Sequence, residues 1–232
     1  MPADCRFPDE DRPFLSSHPW LTTLLLIFGL GLFALTTFSV LSHSLLYTLD
    51  QPLSARFAAA GKTSLAGYLA FSTWFANFGS IAPTLVCLIF AYVFLRQKCD
   101  DRFTLLVSSY GLGVVIFFLL ALAVNRTRPA LPGLLASLPF PSFPSGHMIQ
   151  TIAILTPLLY LYVPRVRSTA TRAVILLAAL VYLAAVAIDR LVVNAHYLTD
   201  VLAGLGVGMA WALFVLVMFE RKHLRELGRS NG

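Results

Sequence analysis

The residues able to do chemistry in this chain fall into three short clusters. The first is Ser142-Phe143-Pro144-Ser145-Gly146-His147, set between two long apolar runs. A Ser-Gly pair opening a helix presents unpaired backbone N–H groups that attract an anion. His147, next in line, carries an imidazole able to trade a proton near neutral pH. The same stretch also reads as a plain helix start with Ser145 as its cap. The second cluster runs from Asp189-Arg190 through Asn194 to His196 and Asp200. A helix beginning near His196 stacks His196 and Asp200, four positions apart, on one face. A carboxylate there accepts from one imidazole nitrogen, fixes the tautomer and sharpens the other nitrogen as a nucleophile. The blander alternative is an interfacial histidine followed by a capping aspartate. The third cluster, Arg126-Thr127-Arg128-Pro129, is either a pair of arginines reaching for lipid phosphates or a fork of donors for a bound phosphate. His147 and His196 have no carboxylate cluster beside them, and Cys5, Cys87 and Cys99 lack ligand spacing, so neither a metal nor another cofactor is expected.

The elements that must hold these clusters are membrane spans. The chain is 58% hydrophobic and 12% charged over 232 residues, with a mean hydropathy of +0.78. That is the composition of an integral membrane protein. A net charge of +6 does not signal nucleic acid here, because the basic residues flank apolar runs. Six spans are expected: Trp20 to Leu41, Ile81 to Leu95, Phe103 to Asn125, Met148 to Val163, Ala173 to Ile188 and Val201 to Phe219. Ser42 to Lys62 reads as mixed, and Thr63 to Phe78 as an extra interfacial helix between the first and second spans. The fold class is therefore all-α and polytopic. A polar tail occupies 1–19, the membrane domain 20–219, and a basic tail 220–232. An even number of spans puts both termini on one side, and that side holds 12 of the 17 Lys and Arg residues. Lysine and arginine mark the cytoplasmic side, so the termini are expected there. The outer ends of the last four spans then share the opposite face, and all three clusters meet on it.

Arg-Pro, Pro-Ser-Gly-His and Arg-x5-His-x3-Asp, in that order and each at a span end, closely resemble the type 2 phosphatidic acid phosphatase superfamily over Phe103 to Phe219. The six-span layout is similar to its lipid phosphatase branch. The resemblance implies that His196 is a nucleophile forming a phosphohistidine, that Asp200 orients it, and that His147 protonates the leaving oxygen. Arg128, Arg190, Ser145 and the Gly146 backbone correspond to its phosphate cradle. It implies a lipid phosphate substrate such as undecaprenyl pyrophosphate, phosphatidylglycerol phosphate, phosphatidic acid or lipid A, in a bacterial inner membrane, with no obligatory protein partner. Three positions depart from the pattern. A lysine expected seven residues before Arg128 is Ala121, the serine before Arg190 is Asp189, and the glycine two before His196 is Asn194. Arg126 is expected to supply the charge missing at 121 and to join the phosphate ligands. Asp189 either braces Arg190 or repels substrate, and Asn194 tolerates the left-handed backbone of the glycine it replaces. Ala121 and Asp189 each make the site less positive. That altered cradle keeps a phosphotransferase, and more distantly a non-catalytic lipid-binding protein, beside the hydrolase as alternatives.

Overall fold

A computed structural model describes residues 14–63, 82–129 and 140–230. Among these residues the structure is helical, with no strand. A short α1 (Phe14–Ser17) leads into α2 (Pro19–Ser42) and α3 (Leu45–Thr63). After them come α4 (Ala82–Arg96), α5 (Asp100–Val124), α6 (Gly146–Tyr162), α7 (Thr169–Val192) and α8 (Leu198–Ser230). Among the described residues, five helices, namely α2, α5, α6 with its 3-10 extension to Arg165, α7 and α8, are long and apolar enough to cross a bilayer; α4 is apolar and shorter. Leu24, Ile27, Phe38, Leu122, Leu177 and Leu180 are all more than half exposed. In water such a surface would be an aggregation hazard; in a bilayer it is the lipid-facing belt.

α8 is the axis of the bundle and touches α1, α2, α3, α5, α6 and α7. Lipid tails give helices no hydrophobic reason to associate, so contact depends on close backbone approach and on interhelical hydrogen bonds. The run Gly204-Leu-Gly206-Val-Gly208 supplies the first. A Cβ on Gly204 would stand 2.6 Å from the Ser145 carbonyl, and one on Gly206 would stand 2.7 Å from that of Gly29 in α2. A Cβ on Gly208 would meet Ile149 Cα at 3.1 Å. Hydrogen bonds supply the second: Ser109 Oγ of α5 donates to the Ala153 carbonyl of α6 at 2.7 Å, and Trp211 Nε1 of α8 donates to the Ser109 carbonyl at 2.9 Å.

Two elements differ from the sequence expectation. Ser42 to Lys62, which reads as mixed in sequence, is mostly α3, a helix that keeps Pro52 inside it. Its polar residues have no regular apolar stripe to betray it, because Asp50 and Ser54 are buried against other protein groups instead of facing water. A helix thus lies between the first two spans, earlier than expected, while the stretch read as interfacial lies almost wholly outside the described residues. The other difference is at the C-terminus, where α8 runs on through the basic segment expected to be a tail. The buried Glu220 anchors this end. Its carboxylate accepts from Tyr160 Oη at 2.7 Å and from the backbone N–H groups of Leu15 at 3.1 Å and Ser16 at 2.7 Å.

Candidate active site

The α7–α8 connection is built around one carbonyl. The N–H groups of Ala195 and His196 both donate to the Arg190 carbonyl, at 3.1 and 3.3 Å. The turn needs a left-handed residue, and Asn194 takes that conformation at φ 56°, as its replacement of a glycine required. Its Oδ1 accepts a hydrogen bond from Ser54 of α3. His196 is buried, and α8 begins two residues after it, so His196 and Asp200 are not stacked on a common helical face. Instead, Nδ1 of His196 lies 2.7 Å from the Ser142 carbonyl and 3.7 Å from Asp200 Oδ2. A backbone carbonyl can only accept, so it places the proton on Nδ1 and leaves Nε2 with its lone pair. Ser142 thus holds Nδ1 at hydrogen-bond distance, with the Asp200 carboxylate in ion-pair range of the same nitrogen. Asp200 turns back to the residue just before its own helix, where Oδ2 accepts from the Tyr197 N–H at 2.9 Å.

Ser145 occupies the N-cap position of α6, yet its hydroxyl makes no cap hydrogen bond. Its Oγ is buried with no partner, while its N–H donates to the Asp200 carbonyl at 2.9 Å. A buried hydroxyl without a partner is costly, and rare unless a ligand completes it. This removes the reading of Ser145 as a simple cap. Gly146 follows under the Phe117 ring, where a Cβ would come within 2.9 Å. His147 is half-buried; its ring centroid is 6.3 Å from that of His196, and its Nε2 is 3.2 Å from Arg190 Nη1.

The three arginines have different surroundings. Arg190 Nε donates to Asp189 Oδ2 at 2.9 Å, and Nη2 reaches the same oxygen. Asp189 therefore braces Arg190. Arg128 donates to the Ala195 and Phe140 carbonyls, both at 2.9 Å, and toward the Pro141 carbonyl at 3.4 Å. None of these partners carries charge. Burial, and then the neighbouring Arg190, oppose its charge, while Asp200 favours it. A guanidinium stays protonated regardless, so Arg128 is a cation whose surroundings favour an anion. Arg126, which the sequence led us to expect among the phosphate ligands, faces carboxylates in this structure. Its Nη1 donates to Asp200 Oδ1 at 2.6 Å and to Thr199 Oγ1 at 2.7 Å, and its Nη2 to Asp50 Oδ2 at 2.7 Å. Two carboxylates already occupy it. Ala121 is buried with Phe117 and Ile149, so position 121 is part of an apolar cluster.

The structure thus gathers Arg128, Ser145, Gly146, His147, Arg190, His196 and Asp200 and sets Arg126 behind them. It also adds Asp50, Thr199 and the Ser142 carbonyl, which sequence reasoning did not single out. Burial, the largest effect, lowers the pKa of His196 from its usual 6.5; Arg128 and Arg190 lower it further against a rise from Asp200. These effects together favour the neutral imidazole.

The profile of the PAP2 superfamily matches residues 102–224, more than half of the chain. The protein belongs to the PAP2 superfamily. Two solved structures share its fold. The first transmembrane PAP2-type phosphatidylglycerolphosphate phosphatase from Bacillus subtilis superposes with a TM-score of 0.69 at 21% identity, over 84% of this chain and 97% of that one. Aquifex aeolicus LpxE gives a TM-score of 0.54 at 24% identity, over 73% and 95%. No curated protein sequence matches the chain. This PAP2 protein is an integral membrane protein with the fold of membrane lipid phosphatases.

Proposed function

We propose that this protein hydrolyses a phosphomonoester or pyrophosphate on a lipid through a phosphohistidine at His196, on the non-cytoplasmic face of a bacterial inner membrane. One observation carries the reading. A neutral imidazole with Nδ1 engaged, a second imidazole, an unpartnered buried hydroxyl and an arginine with only neutral partners converge on one spot. In-line phosphoryl transfer needs a positioned nucleophile, an acid opposite it and positive charge on the equatorial oxygens, and these groups can supply them without an obligatory metal.

Nε2 of His196 attacks phosphorus as the bond from phosphorus to the lipid oxygen breaks. His147, protonated, gives that oxygen its proton. Arg128, Arg190 and Ser145 Oγ bind the equatorial oxygens, where charge accumulates. Neutral His147 then takes a proton from water, which attacks phosphorus; the P–N bond breaks, and His196 returns to its starting state. The chemistry of the fold's neighbours makes a phosphatidylglycerol phosphate the first lipid to try, followed by undecaprenyl pyrophosphate, phosphatidic acid and lipid A.

The test is phosphate release from these lipids by detergent-purified protein, with acid-stable and acid-labile phosphoenzyme quantified after a rapid quench. H196A is expected to release no phosphate and to form no acid-labile adduct. Full turnover by H196A would overturn the mechanism.

A further inference from the structure

Arg126 and Asp50 form a buried assembly that the proposed reaction does not use directly. Asp50 comes from α3 and is 1% exposed; Arg126 is 9% exposed. Asp50 Oδ1 accepts from the Thr199 N–H at 3.1 Å, and Oδ2 accepts from Arg126 and from the Thr199 hydroxyl. The Arg126 guanidinium lies 4.2 Å from the Tyr197 ring centroid and 5.1 Å from that of Tyr47, held between two aromatic faces. Tyr197 is held in turn by Gln51, whose Nε2 donates to its Oη at 3.0 Å. Of two consecutive residues in the first turn of α8, Thr199 is therefore fixed directly by a helix almost 150 positions earlier in the chain, and Asp200 is tied to the same helix through Arg126.

We infer that Arg126 and Asp50 are positioning residues that set the place and the electrical balance of Asp200 behind the nucleophile, and that Arg126 is not a phosphate ligand. The inference rests on His196 being the nucleophile. Buried charges survive only when paired, and breaking a buried pair leaves an uncompensated charge. Asp50, Arg126 and Asp200 together carry one net negative charge, and Asp200 Oδ2 is 3.7 Å from His196 Nδ1. When Nε2 forms its bond to phosphorus the ring becomes cationic, and this residual negative charge faces it. Ser142 holds the ring through hydrogen bonding, and the triad supplies the field.

Signs follow for each substitution. The groups around His196 are Asp200 from α8, Arg190 and Asp189 from α7, His147 from α6, Arg128 and Arg126 from the segment after α5, Asp50 and Tyr47 from α3, and Tyr197. Arg126→Gln removes a cation and leaves two carboxylates, so imidazolium is favoured and the pKa of His196 rises. Asp50→Asn removes an anion, so that pKa falls. His196 must be neutral to attack, and the acid limb of the kcat/KM profile therefore moves up in pH for Arg126→Gln and down for Asp50→Asn.

The experiment measures kcat, KM and the pH profile for wild type, Arg126→Gln, Arg126→Lys, Asp50→Asn and H196A, with thermal unfolding in detergent for each. Arg126→Gln is expected to lower kcat about 10²-fold, the loss typical of a displaced catalytic group. Its KM should stay within about threefold, because ground-state binding is untouched. Arg126→Lys should recover part of the rate and return the limb toward wild type. A raised KM with an unmoved limb in Arg126→Gln would make Arg126 a phosphate ligand and overturn the inference. Unmoved limbs in both Arg126→Gln and Asp50→Asn, with H196A inactive, would also overturn it and leave the phosphohistidine intact. Turnover by H196A would instead sink the mechanism itself. If Arg126→Gln does not fold, the near-isosteric Asp50→Asn decides through the direction of its limb.

Discussion

Ser145 shows what a single side chain reveals once its partners are known. Its hydroxyl is buried and bonded to nothing, so Ser145→Ala removes an unsatisfied polar group. Such a change is neutral or mildly stabilising for the fold. Loss of one donor to a transferring phosphoryl group costs about 10²-fold in kcat, so thermal unfolding and turnover should separate in this variant. A drop in unfolding temperature together with full activity would return Ser145 to being a cap. Asp189 makes the converse case. It occupies two edges of Arg190, and Asp189→Ser should release that guanidinium and lower the KM for an anionic lipid by about tenfold, the worth of one charge-assisted bond. His196 sets the pH behaviour. Its folded pKa lies below the usual 6.5, so the folded state resists protonation more than the unfolded chain does. Stability is full above about 6.5 and declines as pH falls below it; the wild-type acid limb of kcat/KM should lie below that value, and titration of phosphate release against pH checks it. The types and spacing of Arg128, Ser145, His147, Arg190 and His196 made them legible in the sequence. Asp50 was not, because a lone aspartate in a mixed stretch has no partner within reach until the fold brings Thr199 and Arg126 to it.

Among the elements, the spans were readable because continuous apolar length leaves few other structures possible in lipid. α3 was not readable in this way: its periodicity is that of a helix whose polar side faces protein, and Pro52 argues against a helix when judged locally. The start of α8 carries the same lesson on a smaller scale. Spacing alone stacked His196 on Asp200, whereas the helix begins at Leu198 and gives the carboxylate to Tyr197 and Arg126. The contact between α6 and α8 is the element on which the site most depends. Gly204 lies against the Ser145 carbonyl, at a distance no Cβ tolerates, with Met148 Cβ just beyond. Gly204→Ala must therefore push α6 and α8 apart at the cradle itself. Overpacking of this kind costs about 1–3 kcal/mol, and the expected result is a lower unfolding temperature with a larger fall in kcat. Gly31→Ala, which would meet nothing within 4 Å, serves as the control and should leave both unchanged.

At the scale of the whole molecule, the site and the Glu220 anchor lie at opposite ends of α8. Helix length separates them by the thickness of a membrane, so the side on which the chemistry occurs is a question about orientation. With six spans and both termini on one side, 12 of the 17 lysines and arginines fall on that side, and such an imbalance is what directs insertion. The cost of the opposite orientation is carrying those charges across the hydrocarbon. The expected outcome is specific. A cysteine at exposed Arg225 should react with a membrane-impermeant maleimide only after cells are permeabilised, and one at exposed Thr127 should react in intact spheroplasts, each compared with the unsubstituted protein to subtract Cys5, Cys87 and Cys99. The reverse pattern would put the phosphate site on the cytoplasmic leaflet. It would then meet newly made lipid phosphates at their site of synthesis, and the positive residues on the other side would have to be held by anionic lipid headgroups rather than by the rule that orients most membrane proteins.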